Sequence, residues 1–329
     1  MFLATERQIA LEAVQAACRA CRLVEGDLTG ASLDKDDRSP VTVADFASQA
    51  VVSIALGRAF PDLHIVGEED ASALRDPAHA ALADRVVATV RRVDPASGDA
   101  DAVLAAIDRG RDTGGPKGRF WVLDPIDGTK GFLRHDQYAV ALALVEDGRV
   151  VLGVLGCPNL PQVGRAPSAD TGCLFVAVRG QGAWSRSIDD PTETRIHVDR
   201  VHNPARARFC ESVEKSHSAQ DVAARVAARL GITAPPYRID SQCKYAAVAR
   251  GDASIYLRLP TRKDYVEKAW DHAAGWAVVT EAGGVVTDTR GAALDFSRGR
   301  LLDRNPGVVA TSGPIHGRVV DAVQKILGS

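Results

Sequence analysis

The 329-residue sequence has no apolar run long enough to cross a bilayer, and its charges nearly cancel. Its 40 lysines and arginines oppose 42 aspartates and glutamates, which leaves a formal net charge of −2. This balance does not attract a nucleic acid or an anionic membrane, and aromatic residues that would stack on bases make up only 5%. We therefore expect neither a nucleic acid nor a membrane as a partner.

The beginning of the sequence also lacks the basic stretch and apolar block of a secretory signal. Because no targeting pattern is visible, we expect a cytoplasmic protein. The apolar residues of this segment recur at helical spacing instead, which predicts an amphipathic helix with Ile9, Ala13, Ala17, Cys21 and Val24 near one face.

The six cysteines are scattered along the chain, and only Cys18 and Cys21 lie close together. A CxxC pattern inside a predicted helix is weak support for metal or redox chemistry. We expect small buried thiols in a reducing compartment, and a regulatory disulfide between these two residues stays open.

The length exceeds what one hydrophobic core usually supports, so we expect two domains. Residues 1–190 combine helices with antiparallel hairpins, the clearest of them around Asp147-Gly148, and predict an α+β domain that holds a metal site. Residues 191–329 alternate strands with helices, which predicts an α/β domain. The fold class is therefore α+β followed by α/β.

Three shorter elements frame the residues that could carry chemistry. A polar stretch without periodicity predicts a loop up to about Ala44, and a helix follows to Phe60. A buried strand is expected from Phe120 to Leu123, and a helix from Asp271 to Ala282.

Four acidic clusters have no obvious structural purpose, and each has a simpler alternative. Asp45 could complete a helix capping box with Thr42, Glu68 and Glu69 could be solvated loop charges, and Asp271 could be a helix N-cap. The clusters are Asp45, "GEED" at 67–70, "DPIDGT" at 124–129 and "WDHAAG" at 270–275.

Asp124 and Asp127 are the hardest of these to explain as structural residues. Asp124 follows a buried strand, where an unpaired carboxylate is costly. Carboxylates without cysteines or paired histidines suit a hard cation such as Mg²⁺, and the amides near Gly128 and Thr129 would point from a helix start towards an anion. The spacing indicates a two-metal phosphate site.

The motifs "DPIDGT" and "WDHAAG…EAGG" resemble the signature pair of the lithium-sensitive, Mg²⁺-dependent phosphatases of the inositol monophosphatase superfamily. Longer stretches are similar to the 3′(2′),5′-bisphosphate nucleotidases within it, and this resemblance spans nearly the whole chain. They are "LDPIDGTKGFLRHDQYAVALALVEDGRVVLGVLGCPNLP", "SVEKSHS", "DSQCKYAAVARGDASIYLRLP" and "EKAWDHAAG". The resemblance implies the layered αβαβα fold of the sugar phosphatases.

It also implies a ligand set for two or three Mg²⁺ ions. Glu68, Asp124 and the carbonyl of Ile126 would hold the first ion, and Asp124, Asp127 and Asp271 the second, with a third and weaker ion near Glu68. Inhibition by Li⁺ is implied as well.

The activity implied is hydrolysis of the 3′-phosphate of 3′-phosphoadenosine 5′-phosphate (PAP) to AMP and phosphate, with its sulfated 5′ analogue (PAPS) as a further substrate. Asp45 and Thr129 would orient and deprotonate the attacking water, which adds in line to phosphorus without a phosphoenzyme. The amides of Gly128 and Thr129 would bind the phosphoryl oxygens.

Four residues match positions that contact the nucleotide in this family: His217, Ser241, Lys244 and Arg258. A lysine and an arginine there suit the second phosphate of the substrate. Taken alone, Arg258 would be an outward strand residue and His217 a loop histidine. The chain departs from the family at His135, where its relatives usually carry glycine.

Two other functions stay open. An inositol polyphosphate 1-phosphatase or inositol monophosphatase activity, alone or in addition, would use the same metal site. A non-catalytic nucleotide or metal sensor would require the loss of a ligand, yet every matching acid is present. We expect a monomer rather than an oligomer.

Overall fold

The structure is a computed structural model that describes residues 3–29, 39–62, 64–162, 172–213, 220–260 and 265–328. Within these residues, the helices are α1 (Ala4–Thr29), α2 (Ser39–Ala59), α3 (Ala80–Val93), α4 (Ala100–Asp108), α5 (Thr129–Leu133), α6 (Gln220–Leu230), α7 (Cys243–Ala249), α8 (Ala273–Glu281) and α9 (His316–Leu327). No helix among them is long and apolar enough to cross a membrane.

A first sheet contains seven strands in chain order, β1 (His64–Gly67), β2 (Arg119–Asp127), β3 (Ala139–Glu146), β4 (Arg149–Cys157), β5 (Cys173–Val178), β6 (Gly182–Ser187) and β7 (Thr194–Ile196). Its first two strands are parallel and the others are antiparallel. The predicted hairpin is confirmed, since β3 and β4 meet at Asp147-Gly148, and both turn residues have positive φ (48° and 72°) as a type I′ turn requires.

A second, mixed sheet contains five strands in the order β11-β12-β10-β8-β9. These strands are β8 (Phe209–Glu211), β9 (Tyr237–Arg238), β10 (Ile255–Arg258), β11 (Val285–Thr287) and β12 (Val308–Thr311). Strand β10 pairs in parallel with β8 and antiparallel with β12.

Three apolar clusters hold the helices and sheets together in five layers. The first cluster joins α1 and α2 to one face of the first sheet, where Trp121 and Leu123 are buried. The second fills the space between the two sheets around α7 and α8, and the third joins the far face of the second sheet to α6 and α9. The order is helices, sheet, helices, sheet, helices, which confirms the expected αβαβα fold. The domain boundary after residue 190 stays a prediction.

Two expected boundaries are wrong. Helix α2 begins at Ser39 rather than Ala44, because Pro40 lacks only an amide that the first helical turn does not need. Strand β2 continues beyond Leu123 to Asp127, since Asp124 still pairs with Ala141 of β3 and Asp127 with Ala139. The acidic turn is therefore the end of the strand itself.

Candidate active site

Five carboxylates from four parts of the chain lie so close together that each acts on the ionisation of at least one other. They belong to Asp45 in α2, Glu68 directly after β1, Asp124 and Asp127 in β2, and Asp271 just before α8. The structure thus brings together every carboxylate that the sequence proposed as a metal ligand or water-orienting group.

The structural alternatives for two of these acids are wrong. Asp45 cannot cap α2 together with Thr42, because the helix begins at Ser39 and both residues lie inside it. Asp271 is not the N-cap of α8, since His272 occupies that position and the helix starts at Ala273 rather than at Asp271.

The end of β2 is held in place by its neighbours. The ladder with β3 is irregular between Asp124 and Asp127, and the hydroxyl of Ser48 in α2 donates to the carbonyl of Pro125 at 2.8 Å. The main-chain amide of Gln242 donates to Oδ2 of Asp127 at 2.6 Å. Ile126 is buried and its side chain is apolar, so its main-chain carbonyl is the group that could bind a cation.

The carboxyls of this cluster are difficult to ionise when no cation is bound. Burial, followed by the charges of neighbouring carboxylates, raises the pKa of Asp45 and Asp124 well above the usual range. The same causes raise the pKa of Glu68 to about 8, although that residue keeps an exposed face. Burial and Asp271 raise the pKa of Asp127, against the opposing effect of Lys244 and Arg258.

One carboxylate oxygen is left without a hydrogen bond. Oδ1 of Asp124 is buried, and it has no hydrogen-bond partner in the part of the chain that the structure describes. An unpaired buried carboxylate oxygen is costly, and an oxygen-lined acidic cluster is what a hard divalent cation prefers. The residues present therefore fit a divalent metal.

A second group of possible ligands lies beside the first. Oxygen and nitrogen atoms of Glu267, Asp271 and His272 are all within 4.8 Å of one another. However, Arg258 already lies between the acids, with Nε 2.7 Å from Glu267 and Nη2 donating to Asp271 at 2.8 Å. The two groups share Asp271. Because the guanidinium already pairs with Glu267 and Asp271, a cation fits better on the side of Glu68, Asp124 and Asp127.

Arg258 is charged in this position. Burial alone would lower the pKa of Arg258, but Asp271 and Glu267 raise it well above its ordinary value. Nε2 of His272 lies 3.0 Å from Glu267, and Nδ1 of the same ring lies 2.7 Å from the hydroxyl of Tyr245. A fixed chain of hydrogen bonds therefore holds Arg258 next to a proposed metal ligand.

The turn after β2, at Gly128, brings the backbone close to Ser241 in the second half of the chain. Gly128 has φ 91°, and a Cβ at this position would lie 2.8 Å from the Cβ of Ser241. Thr129 follows as the exposed first residue of α5. Two of the proposed substrate-binding positions, Gly128 and Ser241, are thus in direct contact.

Lys244 is buried in the first turn of α7. Its Nζ donates to the hydroxyl of Ser212 at 3.1 Å and lies 5.3 Å from the ring centre of Tyr256. Burial lowers the pKa of Lys244, while Asp127 acts in the opposite direction. His217, the remaining proposed nucleotide contact, lies outside the described residues.

Three supporting residues were missed in the sequence. Ser48 donates a hydrogen bond to the carbonyl of Pro125. The side chain of Gln49 accepts from the amide of Glu69 at 3.1 Å and donates to the carbonyl of Ile107 at 2.9 Å. Gln242 donates its side-chain amide to the carbonyl of Trp270 at 2.8 Å. The signal for the first two was present, because Ser48 and Gln49 follow Asp45 by three and four positions in an apolar helix and so share its face.

Comparison with known proteins adds to this geometry. The sequence is 47% identical to the 3′(2′),5′-bisphosphate nucleotidase of Emericella nidulans over 98% of both chains. It is 46% identical to the 3′(2′),5′-bisphosphate nucleotidase of Oryza sativa, over 98% of this chain and 94% of the relative. A relative of the same name from Schizosaccharomyces pombe is 41% identical, over 99% and 97%.

Solved structures resemble the chain in fold. An inositol monophosphatase from Anabaena aligns with a TM-score of 0.63 at 21% identity, over 99% of this chain and 97% of that one. An inositol monophosphatase from Zymomonas mobilis aligns with a TM-score of 0.66 at 19% identity, over 98% and 99%. The sequence model of the inositol monophosphatase family matches residues 2–327. The chain therefore belongs to the inositol monophosphatase family.

Proposed function

We propose that this protein is a metal-dependent 3′(2′),5′-bisphosphate nucleotidase that hydrolyses PAP to AMP and phosphate. The observation that carries the proposal is the convergence of Asp45, Glu68, Asp124, Asp127 and Asp271. Two cations lie beside them, the buried Lys244 and the partly buried Arg258. The relatives of that name, at 41–47% identity over nearly the full length, support the same substrate class.

The metal would be Mg²⁺, which prefers carboxylate and carbonyl oxygens. Glu68, Asp124 and the carbonyl of Ile126 would hold one ion, and Asp124, Asp127 and Asp271 a second, with a third near Glu68. When bound, Mg²⁺ would lower the pKa of a coordinated water and stabilise charge on the phosphoryl oxygens.

The chain's own residues would bind and orient the reactants. Asp45, as a carboxylate, would accept the proton of the attacking water, and Thr129 would help to orient that water. The amides of Gly128 and Thr129 would bind the phosphoryl oxygens at the short helix α5.

Lys244 and Arg258, together with Ser241 and His217, would recognise the nucleotide and its second phosphate. The position of Lys244 supports this role, because Ser212 holds its ammonium group beside Asp127 at the edge of the cluster. Extension of the activity to PAPS is part of the proposal, while the monomeric state and the cytoplasmic location stay predictions.

The test is phosphate release from PAP, PAPS and inositol 1-phosphate, with and without Mg²⁺. We expect PAP to react fastest, no release in EDTA, and inhibition by millimolar Li⁺. Equal or faster release from the inositol phosphate would assign the other activity of this family, and no release with any metal would favour a sensor.

Asp124→Asn tests the site itself. The variant removes a ligand shared by both proposed metal positions, so we expect activity at background level. It also removes one of five mutually repelling carboxylates, so the melting temperature of the metal-free variant should equal or exceed that of wild type. Asp101→Asn, at an exposed position of α4, is the matched control and should keep full activity. Substantial activity in Asp124→Asn would refute the ligand assignment.

A further inference from the structure

The side chain of Arg300 is committed to main-chain oxygens and one aromatic ring. Its Nη2 donates to the carbonyl of Gly67 at 2.9 Å, and its Nη1 donates to the carbonyls of Gly110 and Asp112 at 3.2 and 3.1 Å. Its guanidinium carbon lies 4.8 Å from the ring centre of Trp270. Among the described residues Arg300 forms no ion pair within hydrogen-bonding distance, and its three hydrogen bonds all hold main-chain carbonyls.

Two of these contacts are adjacent to proposed metal ligands. Gly67 immediately precedes Glu68, and Trp270 immediately precedes Asp271. The two acids come from positions more than 200 residues apart in the chain, on the first sheet and before α8. The guanidinium of Arg300 thus connects the backbone just before Glu68 to the aromatic ring just before Asp271.

The main chain around Arg300 strengthens the connection. Its carbonyl accepts from the amide of Ala269 at 2.9 Å, and the amide of Leu302 donates to the carbonyl of Glu267 at 2.9 Å. On the opposite side, a Cβ at Gly299 would lie 1.9 Å from the carbonyl oxygen of Thr113, so the backbones touch there. The segment 299–302 therefore lies between the loop 110–114 and the residues that lead to Asp271.

We propose that Arg300 is a positioning residue of the metal site, which sets the separation of Glu68 and Asp271 without contacting metal or substrate. This inference rests on the proposed function, because it takes both acids as ligands. Arg300 supplies the connection at Glu68, because its guanidinium bonds the carbonyl of Gly67 in the loop after β1 and stacks on Trp270 in the 267–271 segment.

The chemistry of the guanidinium explains why arginine is needed. Its planar fork donates in several fixed directions and stacks on an aromatic face, whereas the ammonium group of lysine is a single point charge. Lysine can keep the charge and one of the carbonyl contacts, so Arg300→Lys should preserve part of the effect. Arg300→Met keeps an unbranched apolar side chain and removes the guanidinium, with its hydrogen bonds and its contact with Trp270.

The experiment measures Mn²⁺ binding to the metal-free protein by electron paramagnetic resonance, well below the melting temperature of each variant. Outer-shell partners of metal ligands typically contribute 10–100-fold to affinity. We expect Arg300→Met to raise the dissociation constant for Mn²⁺ by at least about 10-fold, and Arg300→Lys to raise it by an intermediate factor. Arg298→Met is the matched control, because Arg298 lies two positions earlier, is exposed, and pairs with Asp303 rather than with the backbone near Glu68.

The outcomes separate this inference from the proposed function. If wild type does not bind Mn²⁺, the metal site itself is wrong. If wild type binds and Arg300→Met binds equally well, even with a lowered melting temperature, then Arg300 is only a structural residue and the inference is overturned. Should Arg300→Met fail to fold, Arg300→Lys decides: unchanged Mn²⁺ affinity refutes the inference, and affinity weakened by several fold supports it.

Discussion

His135 is a residue in a conformation that suits glycine. Its φ is 55°, in the left-handed region, where a side chain costs about 1–2 kcal/mol. The resemblance places glycine at this position, and the structure gives the reason. The imidazole is half exposed, and its Nδ1 lies 3.8 Å from Oε1 of Glu25 in α1. The ring therefore interacts with α1, where Glu25 also accepts from Tyr138 at 2.8 Å.

Two substitutions at this residue separate strain from contact. His135→Ala and His135→Gly both remove the ring, but only alanine keeps a Cβ in the left-handed conformation. We expect the glycine variant to be more stable than the alanine variant by about 1 kcal/mol in urea unfolding. Both should hydrolyse PAP with kcat/KM within about twofold of wild type, since the ring interacts with Glu25. A tenfold rise in KM shared by both variants would instead place His135 at the substrate.

At the scale of elements, the junction of β2 with α5 is the most constrained part of the site. Gly128 turns the chain with φ 91° and leaves no room for a side chain against Ser241. Gly180, in the turn between β5 and β6, also has positive φ (74°), but a Cβ there would meet nothing within 4 Å. The two glycines therefore share a conformation and differ in their surroundings.

Replacing each glycine with alanine measures how much the close contact between Gly128 and Ser241 contributes to stability and activity. Gly180→Ala should lose about 1–2 kcal/mol of unfolding free energy through the left-handed conformation alone. Gly128→Ala should lose more, because the new methyl group displaces Ser241, and its hydrolysis of PAP should fall at least about 10-fold. Chemical denaturation and initial rates measure both effects. Equal stability losses, with activity retained in both variants, would show that the contact with Ser241 is unimportant.

Sequence patterns predicted the elements better than their ends. The turn residues of the β3–β4 hairpin and the apolar strands identified the first sheet, because local backbone preferences decide both. The start of α2 was missed, since residues 39–43 show no helical period and Pro40 was not recognised as a residue of the first helical turn. Local sequence does not encode the neighbours that an element will meet.

The same distinction holds for the site. The carboxylates stood out because acids at the end of an apolar strand have few structural uses. The pairing of Arg258 with Asp271, and the contact of Arg300 with Gly67, depend on how the two sheets and α8 are stacked. Arg300 in particular looks like an ordinary loop residue in the sequence, and only the folded chain shows that it spans two ligand segments.

At the scale of the whole molecule, an almost neutral protein contains a strongly charged centre. The formal net charge is −2, yet five acids from both halves of the chain meet beside the buried Lys244 and the partly buried Arg258. Positive and negative charges thus nearly cancel over the whole protein, whereas acids outnumber cations in the site. A divalent cation there would relieve repulsion between segments far apart in sequence, so it should stabilise the fold as a whole.

This coupling predicts how stability depends on pH. Burial and mutual repulsion raise the pKa of Asp45, Asp124 and Asp127 in the folded, metal-free protein, and raise that of Glu68 to about 8. In the unfolded chain these carboxyls ionise near pH 4. Between about pH 4 and pH 8 the folded state therefore binds more protons, and its stability should fall as pH rises through this window.

Mg²⁺ takes the place of those protons, so the rise in melting temperature that it produces should be small near pH 5 and grow to several degrees near pH 8. Thermal unfolding with EDTA or excess Mg²⁺ at a series of pH values measures the difference, in which groups far from the site cancel. Asp124→Asn is the matched variant, because it has one acid fewer in the cluster and should show a flatter dependence on pH. A Mg²⁺ effect that is constant across this range, or larger near pH 5, would mean that the five carboxylates do not act together on a bound cation.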